Sequence, residues 1–379
     1  MAGELVLSNA RIVLPDEVVL GSVVVRDGRI AEVSEGVART GEDMNGDFII
    51  PGLVELHTDH IETHYAPRPG VRWNPKAAVQ AHDAQIAASG ITTVFDALRC
   101  GMDDFADLTG DDMGKLADAI VQSSAAGTLR AEHFIHLRCE VSAPDCLDTF
   151  EAFRELPAIR MASLMDHAPG QRQFSSLEKY AEYYQKKLNL NDVEFRRFCA
   201  ERVRQSEENS RSNRRAIAAA SSGRNIVLAS HDDATLAHVE EAIGDGVSVA
   251  EFPTTIEAAL ASREAGMAVL MGAPNLVRGG SHSGNVSARE LAERGCLDIL
   301  SSDYIPFSLL QAGFLVSELI DGVSLPQGIA MVTRNPARAA GLTDRGAIEA
   351  GMRADLVRVE LGNGIPVVRC VYREGVRVA

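Results

Sequence analysis

An α/β fold is predicted, a (β/α)8 barrel of TIM type with a small β-sandwich domain made from both chain ends, and three observations predict it. Through the middle of the chain, a short apolar run closing on polar residues and followed by a helical stretch recurs eight times. The two chain ends are β-rich and stand outside that repeat. The polar residues that close the runs are mostly His, Asp and Glu.

At the start, residues 5–13 and 18–25 alternate or run apolar, with turn signals at Pro15-Asp16 and Asp27-Gly28. Residues 354–360 and 366–371 look alike at the other end, with turns at Gly362-Asn363-Gly364 and Glu374-Gly375. Neither end has enough strands to bury a sheet face alone. They are expected to pair into one small domain of residues 1–50 and 346–379.

The eight runs are 49–57, 91–96, 134–140, 159–167, 226–232, 247–251, 268–275 and 297–303, within a barrel expected over 51–345. Near-continuous apolar runs alternating with helices indicate a parallel sheet buried on both faces, and eight such units close a barrel. Helices are expected at 77–89, 115–126, 236–242, 256–265 and 288–294, among others. One connection is oversized: around 172–222 the chain is highly charged, with helical spacing at 177–184 and 192–213. It reads as a pair of helices inserted over the barrel top, as a lid, an oligomer contact or a solvated pair.

Composition narrows the function. With 379 residues, 46% hydrophobic and 24% charged, the chain reads as a soluble globular protein. No stretch has the ~18 uncharged apolar residues of a membrane span. The start, Met1-Ala2-Gly3-Glu4, lacks the marks of a signal peptide, so a cytoplasmic home is expected. Six cysteines without a CxxC pair read as free thiols. A net charge of −16 with no long basic run argues against nucleic acid, and an anionic substrate would need a local cationic pocket.

The ends of the runs carry the chemistry: His57 and Asp59, Asp96, Glu140, Asp166 and His167, His231 and Asp232, Glu251, Asn275, and Asp303. In a barrel these ends converge on one face, where the active site of this fold is built. Any one of them alone reads as a loop or helix cap. Gathered together, neutral imidazoles and carboxylates are ordinary ligands of Zn²⁺, Mn²⁺ or Fe²⁺. The sharpest motif is Pro51-Gly-Leu-Val-Glu-Leu-His57-Thr-Asp59, where alternate strand residues share a face. His60 and His64 are off that register, and His60 reads as a loop histidine.

Pro51-Gly52…His57-x-Asp59 resembles the opening signature of the amidohydrolase superfamily, ordinarily P-G-x-x-D-x-H-x-H. Arg345-Gly346-x-Ile348-x-x-Gly351-x-x-Ala354-Asp355-Leu356-Val357 resembles its closing signature. Asp59 stands where the second His usually does, which makes an ordinary deaminase or amidase less fitting. The whole chain is similar to a phosphonate-metabolism branch of the carbon–phosphorus lyase pathway. The carrying segments include Leu56-His-Thr-Asp-His60, Ala66-Pro-Arg-Pro69, Ala81-His-Asp83, Met271-Gly-Ala-Pro-Asn-Leu-Val-Arg-Gly-Gly-Ser-His-Ser-Gly-Asn285 and Ser301-Ser-Asp-Tyr304.

That resemblance implies hydrolysis of a ribose 5-triphosphate to the 5-phosphate and pyrophosphate. One or two divalent ions, zinc first among the candidates, are expected on His57, Asp59, Glu140, His167, His231 and Asp303, with Glu140 shared between them. Asp303 is expected to orient the attacking water and take its proton, as the resemblance implies. Arg278, Ser281 and His282, in a Gly/Ser-rich loop, would bind phosphate with Arg68, Arg138 and Arg172, and His82 joins them through its motif. Glu251, where the superfamily often has a metal histidine, either serves the site or braces a loop. Two rivals remain: hydrolysis of a C–N bond by the same barrel, and a non-catalytic scaffold. A homodimer is the default assembly, with a phosphorylated sugar as the partner molecule and neither nucleic acid nor membrane.

Overall fold

The computed structural model describes residues 4–101, 107–172, 180–181, 184–185, 188–281 and 284–379. In chain order the strands begin with β1 (Leu5–Val13), β2 (Val18–Arg26), β3 (Arg29–Glu35), β4 (Glu42–Asp43) and β5 (Phe48–Pro51). The barrel strands follow: β6 (Leu53–Thr58), β7 (Ile91–Cys100), β8 (Glu132–Glu140), β9 (Ile159–Met165), β10 (Val227–His231), β11 (Val249–Glu251), β12 (Ala268–Gly272) and β13 (Ile299–Ser301). The chain ends on β14 (Leu356–Gly362), β15 (Ile365–Arg373) and β16 (Val376–Arg377).

Strands β6 to β13 pair in sequence order, every pair parallel, as the eight apolar runs require. A bridge from Thr58 to Asp303 brings the first strand to the last and closes the ring. The two chain ends meet as expected: β5 pairs antiparallel with β14, and the resulting sheet runs β16-β15-β14-β5-β1-β2-β3.

The first apolar run is not one strand. Its start belongs to the small sheet and its end to the barrel, with Gly52 at the crossing. A Cβ at Gly52 would stand 2.2 Å from Thr92 Oγ1 of β7, so only glycine lets the chain change sheets there. The seventh run ends early: strand β12 stops at Gly272, and Pro274 opens the helix Ala273–Arg278, which takes Asn275 off the strand end. Of the oversized connection, residues 173–179, 182–183 and 186–187 lie outside the described residues. The rest is dominated by one helix, Asp192–Ser221, started by a capping box between Asn191 and Glu194. Among the described residues, no helix is long and apolar enough to cross a membrane.

Inside the ring, Val54, Leu56, Phe95, Met161, Ala229, Val249, Leu270 and Ile299 form an apolar plug. Two larger clusters fill the space between strands and helices. Helix α1 (Ile61–Tyr65) and helix α2 (Pro75–Ala88) follow β6. Asn74 caps α2 by accepting from the Ala77 N–H, and Pro75 sits in the first turn, where its missing N–H costs nothing.

A buried polar seam fastens α2 to the barrel. His133 places Nδ1 2.7 Å from Asp96 and Nε2 3.3 Å from Asp83, and His82 Nε2 lies 2.8 Å from Asp96. Burial opposes a charged His133, but the Asp96 and Asp83 carboxylates outweigh it and push its pKa up to about 9. A histidine raised in the folded state stabilises fully below its unfolded value of 6.5, and that contribution is lost as pH rises through 9. Stability should therefore fall by on the order of 3 kcal/mol across that window. Chemical denaturation at several pH values checks this; His133→Asn should flatten the alkaline slope, and an equal slope in both proteins would contradict it.

Candidate active site

On four strands the inward-facing position two residues beyond the apolar plug carries a polar residue of one shared layer. His136 follows Phe134, Ser163 follows Met161, His231 follows Ala229 and Glu251 follows Val249, each with its strand's two-residue period. His57 joins them by a different route. Pairing between β6 and β7 shifts register between Glu55 and Thr58, so Leu56 packs in the plug and the next residue, His57, reaches Glu251. Buried Glu55 holds that irregular turn by accepting from the N–H groups of His57 and Ser302 and the hydroxyl of Ser301.

Glu251 is the hub. Its carboxylate lies 3.1 Å from His57 Nδ1 and 3.2 Å from His231 Nδ1, and Ser163 Oγ is 2.5 Å away. Burial disfavours its charge, yet His57 and His136 hold its pKa well below the carboxylate range. Burial likewise opposes a charged His57, and Glu251 overcomes it to raise that histidine's pKa. His136 is different. Burial pulls its pKa down to about 3. It faces the Leu56 carbonyl through Nδ1 at 2.8 Å, which leaves Nε2 as a lone-pair nitrogen 2.5 Å from Ser163 Oγ.

A second group stands beside the first. His231 Nε2 and His167 Nε2 lie 3.4 and 3.6 Å from Asp232 Oδ2. That oxygen is buried and has no hydrogen-bond partner among the described residues. Asp232 adopts a left-handed φ of 59°, an uncommon conformation for a non-glycine residue, which turns its carboxylate toward the two imidazoles.

Both groups fit a divalent cation. Four ligands at ~2.1 Å in a tetrahedron stand about 3.4 Å apart, close to the 3.4 and 3.6 Å that separate Asp232 from His231 and His167. In the first group one hydroxyl proton on Ser163 faces two acceptors, His136 Nε2 and Glu251. A surplus of acceptors in a buried site is the condition a cation relieves.

Of the residues the sequence singled out, His57 and His231 fall in this layer and His167 at its edge. Asp59 lies 2.9 Å from Arg138 Nη1, whose Nε is buried without a partner among the described residues. Asp303 sits across the closing bridge from Thr58, and burial with the nearby Asp59 charge raises its pKa. Glu140, expected to be shared between ions, stands behind His167 instead. It accepts from His167 Nδ1 at 2.6 Å and from the His167 N–H at 3.1 Å. Burial opposes its charge, but His167 holds its pKa down to about 2.

The expected phosphate ligands scatter more widely. Arg172 is buried and spent on Asp233 and Glu241, and His82 is sealed in the seam on α2. Arg68 and Arg278 are exposed, while Ser281, after β12, is half-buried. His282 lies outside the described residues. His136 and Ser163 sit inside their runs and not at the ends, so the pattern of run ends does not single them out. The signal for both was there: a polar residue two positions after a plug residue.

The long helix Asp192–Ser221 braces the same rim. Ser206 and Ser210 donate to Asp166 at 2.6 Å, and Asn213 donates to the carbonyls of Val141 and Ala143. Arg202 stands 3.7 Å from Glu140. The helix therefore holds the loops that carry Glu140 and His167.

Residues 259–370 match the model of the amidohydrolase family. The chain is 48% identical over 378 residues to an alpha-D-ribose 1-methylphosphonate 5-triphosphate diphosphatase of Escherichia coli (strain K12), covering 99% of this chain and 100% of that one. Among solved structures, a 5-methylcytosine deaminase from Klebsiella pneumoniae liganded with phosphonocytosine superposes with a TM-score of 0.66 at 16% identity, covering 99% of this chain and 98% of that one. An N-acetyl-D-glucosamine-6-phosphate deacetylase from Mycobacterium smegmatis gives a TM-score of 0.64 at 16% identity, with 100% of each chain covered. These two likenesses bear on the fold alone.

Proposed function

The chain belongs to the amidohydrolase family, in the group of the alpha-D-ribose 1-methylphosphonate 5-triphosphate diphosphatases, and from that premise we propose that it hydrolyses this sugar triphosphate to the 5-phosphate and pyrophosphate. The observation that carries the reading is the paired histidine–carboxylate layer, with its orphaned Asp232 oxygen, inside a chain so similar along its whole length.

Divalent ions would be held by His57, His136 and Glu251 and by His167, His231 and Asp232. Asp59 and Asp303 stand at the rim beside them. A divalent ion bound there supplies Lewis acidity, acidifying water and neutralising charge on phosphoryl oxygens. Glu140 fixes the ring and tautomer of His167 by accepting from Nδ1, which directs Nε2 inward. Asp303 takes the proton of the attacking water on its carboxylate; its raised pKa makes it the stronger base. The water oxygen bonds to the α-phosphorus while the bond to the bridging oxygen of pyrophosphate breaks. Arg138, oriented by Asp59, faces the charge that builds on the phosphoryl group. Arg278 and Arg68 bind the outer phosphates.

Phosphorus NMR of a panel of 5-triphosphates in ¹⁸O-labelled water tests the reading. Pyrophosphate should appear, with the label in the 5-phosphate. Release of γ-phosphate, or of ammonia from a base instead, would overturn it. Arg278→Ala should raise KM by about tenfold to a hundredfold, the loss of one charged hydrogen bond, and change kcat much less. An unchanged KM would remove Arg278 from the phosphate site.

A further inference from the structure

Beside the barrel mouth, where α1 and α2 meet, three imidazoles converge that the proposed reaction does not use. We infer that His60, His64 and His82 form a divalent-cation site of their own, of the three-histidine kind that zinc takes, sharing no residue with the groups around Glu251 and Asp232.

The ring centres of His60 and His64 are 5.2 Å apart, and His82 lies 6.0 Å from each. Three imidazoles bound through nitrogen at ~2.1 Å to one tetrahedral ion have ring centres about 5.2 Å apart; the His60–His64 pair has that spacing, and His82, at 6.0 Å, has to close on both by about 0.8 Å to complete the set. Two of the three come from one turn of helix: His60 and His64 are four residues apart, the spacing that puts both on one face. The third comes from the buried face of α2.

Tautomers follow from the partners. His82 Nε2 lies 2.8 Å from the Asp96 carboxylate, which only accepts, so His82 carries its proton on Nε2 and presents a lone pair at Nδ1. That Nδ1 is fully buried with no hydrogen-bond partner among the described residues. His60 Nδ1 faces the Tyr304 carbonyl at 3.1 Å and therefore carries its proton there, leaving Nε2 free to ligate. His64 Nε2 is buried, again with no partner among the described residues. A buried imidazole nitrogen without a hydrogen-bond partner is costly in either tautomer, and this cluster holds two. A cation satisfies both. A carboxylate behind one imidazole and a backbone carbonyl behind another is the arrangement that orients metal-bound histidines. His60 is only partly buried, which gives an ion a way in from solvent and leaves its fourth position open to water.

The site would tie three segments together: the turn after β6, helix α2, and the loop of Tyr304 that follows Asp303. Metal content of the full-length chain tests it. After chelation the protein is reloaded with Co²⁺ or Zn²⁺, and bound metal per chain is measured by mass spectrometry, with cobalt d–d absorption reporting the ligands. His60→Ala and His64→Ala should each hold one equivalent less than the unaltered chain and lose part of the cobalt spectrum. Both sites are accessible enough for the variants to fold, which circular dichroism verifies. His231→Ala, measured alongside, should lose metal from the other groups and keep this equivalent. Equal metal content in the unaltered chain and in both His60 and His64 variants would overturn the inference. A loss in His231→Ala alone would show that this site fails while the proposed active site stands.

Discussion

Asp303→Asn is expected to lower kcat by about two to four orders of magnitude, the usual contribution of a positioned general base. The carboxylate sits where the ring closes, and the Asp303 backbone takes a left-handed φ of 55° that turns it away from the strand path. Burial and the neighbouring Asp59 raise its pKa, so its charge is tolerated rather than favoured by the fold. The sign of the stability change follows. An acid whose folded pKa lies above its unfolded value destabilises the native state once both are ionised, and a neutral amide relieves that cost. In metal-free protein, Asp303→Asn should melt at the same temperature as the unaltered chain or higher, while turnover collapses. Near-normal kcat would remove Asp303 as the base, and a large drop in melting temperature would make its role structural.

Glu251→Ala carries the second large expectation, on stability and metal together. The carboxylate is fully buried and receives contacts from His57, His231 and Ser163. Removing one partner of a buried charged cluster strands the others, at a cost of about 3–5 kcal/mol. Glu251→Gln keeps the volume and loses only the charge, so it should destabilise less while still weakening metal binding by His57 and His136. Thermal melts and metal analysis of both variants separate the two effects. If Glu251→Ala melted like the unaltered chain with its metal intact, the hub assignment would fail.

The order of these side chains explains a feature of the sequence that looked anomalous. An acid at the sixth strand end, where the superfamily often has histidine, complements His136, whose strand places an imidazole in the layer two residues after the plug. Asp59 takes a similar part at the rim, holding Arg138 where a phosphate would arrive. These exchanges suit a phosphoryl substrate, which brings its own negative charge and needs cations beside it.

Fold class was legible in the sequence because its signals are local. Each apolar run followed by a helical stretch states its own secondary structure, and counting the runs gives the barrel. His57, His231 and Asp303 were legible for the same reason, since they mark where runs end. The tertiary structure alone decided the rest. Which of the acids and imidazoles face one another depends on register between strands far apart in sequence, and one irregular step at Glu55–Thr58 is enough to swing His57 inward. It set Glu140 behind His167, turned Asp232 toward two histidines and buried Arg172 against Asp233. A strand's period tells which residues share a face, and only the closing of the ring tells what that face meets.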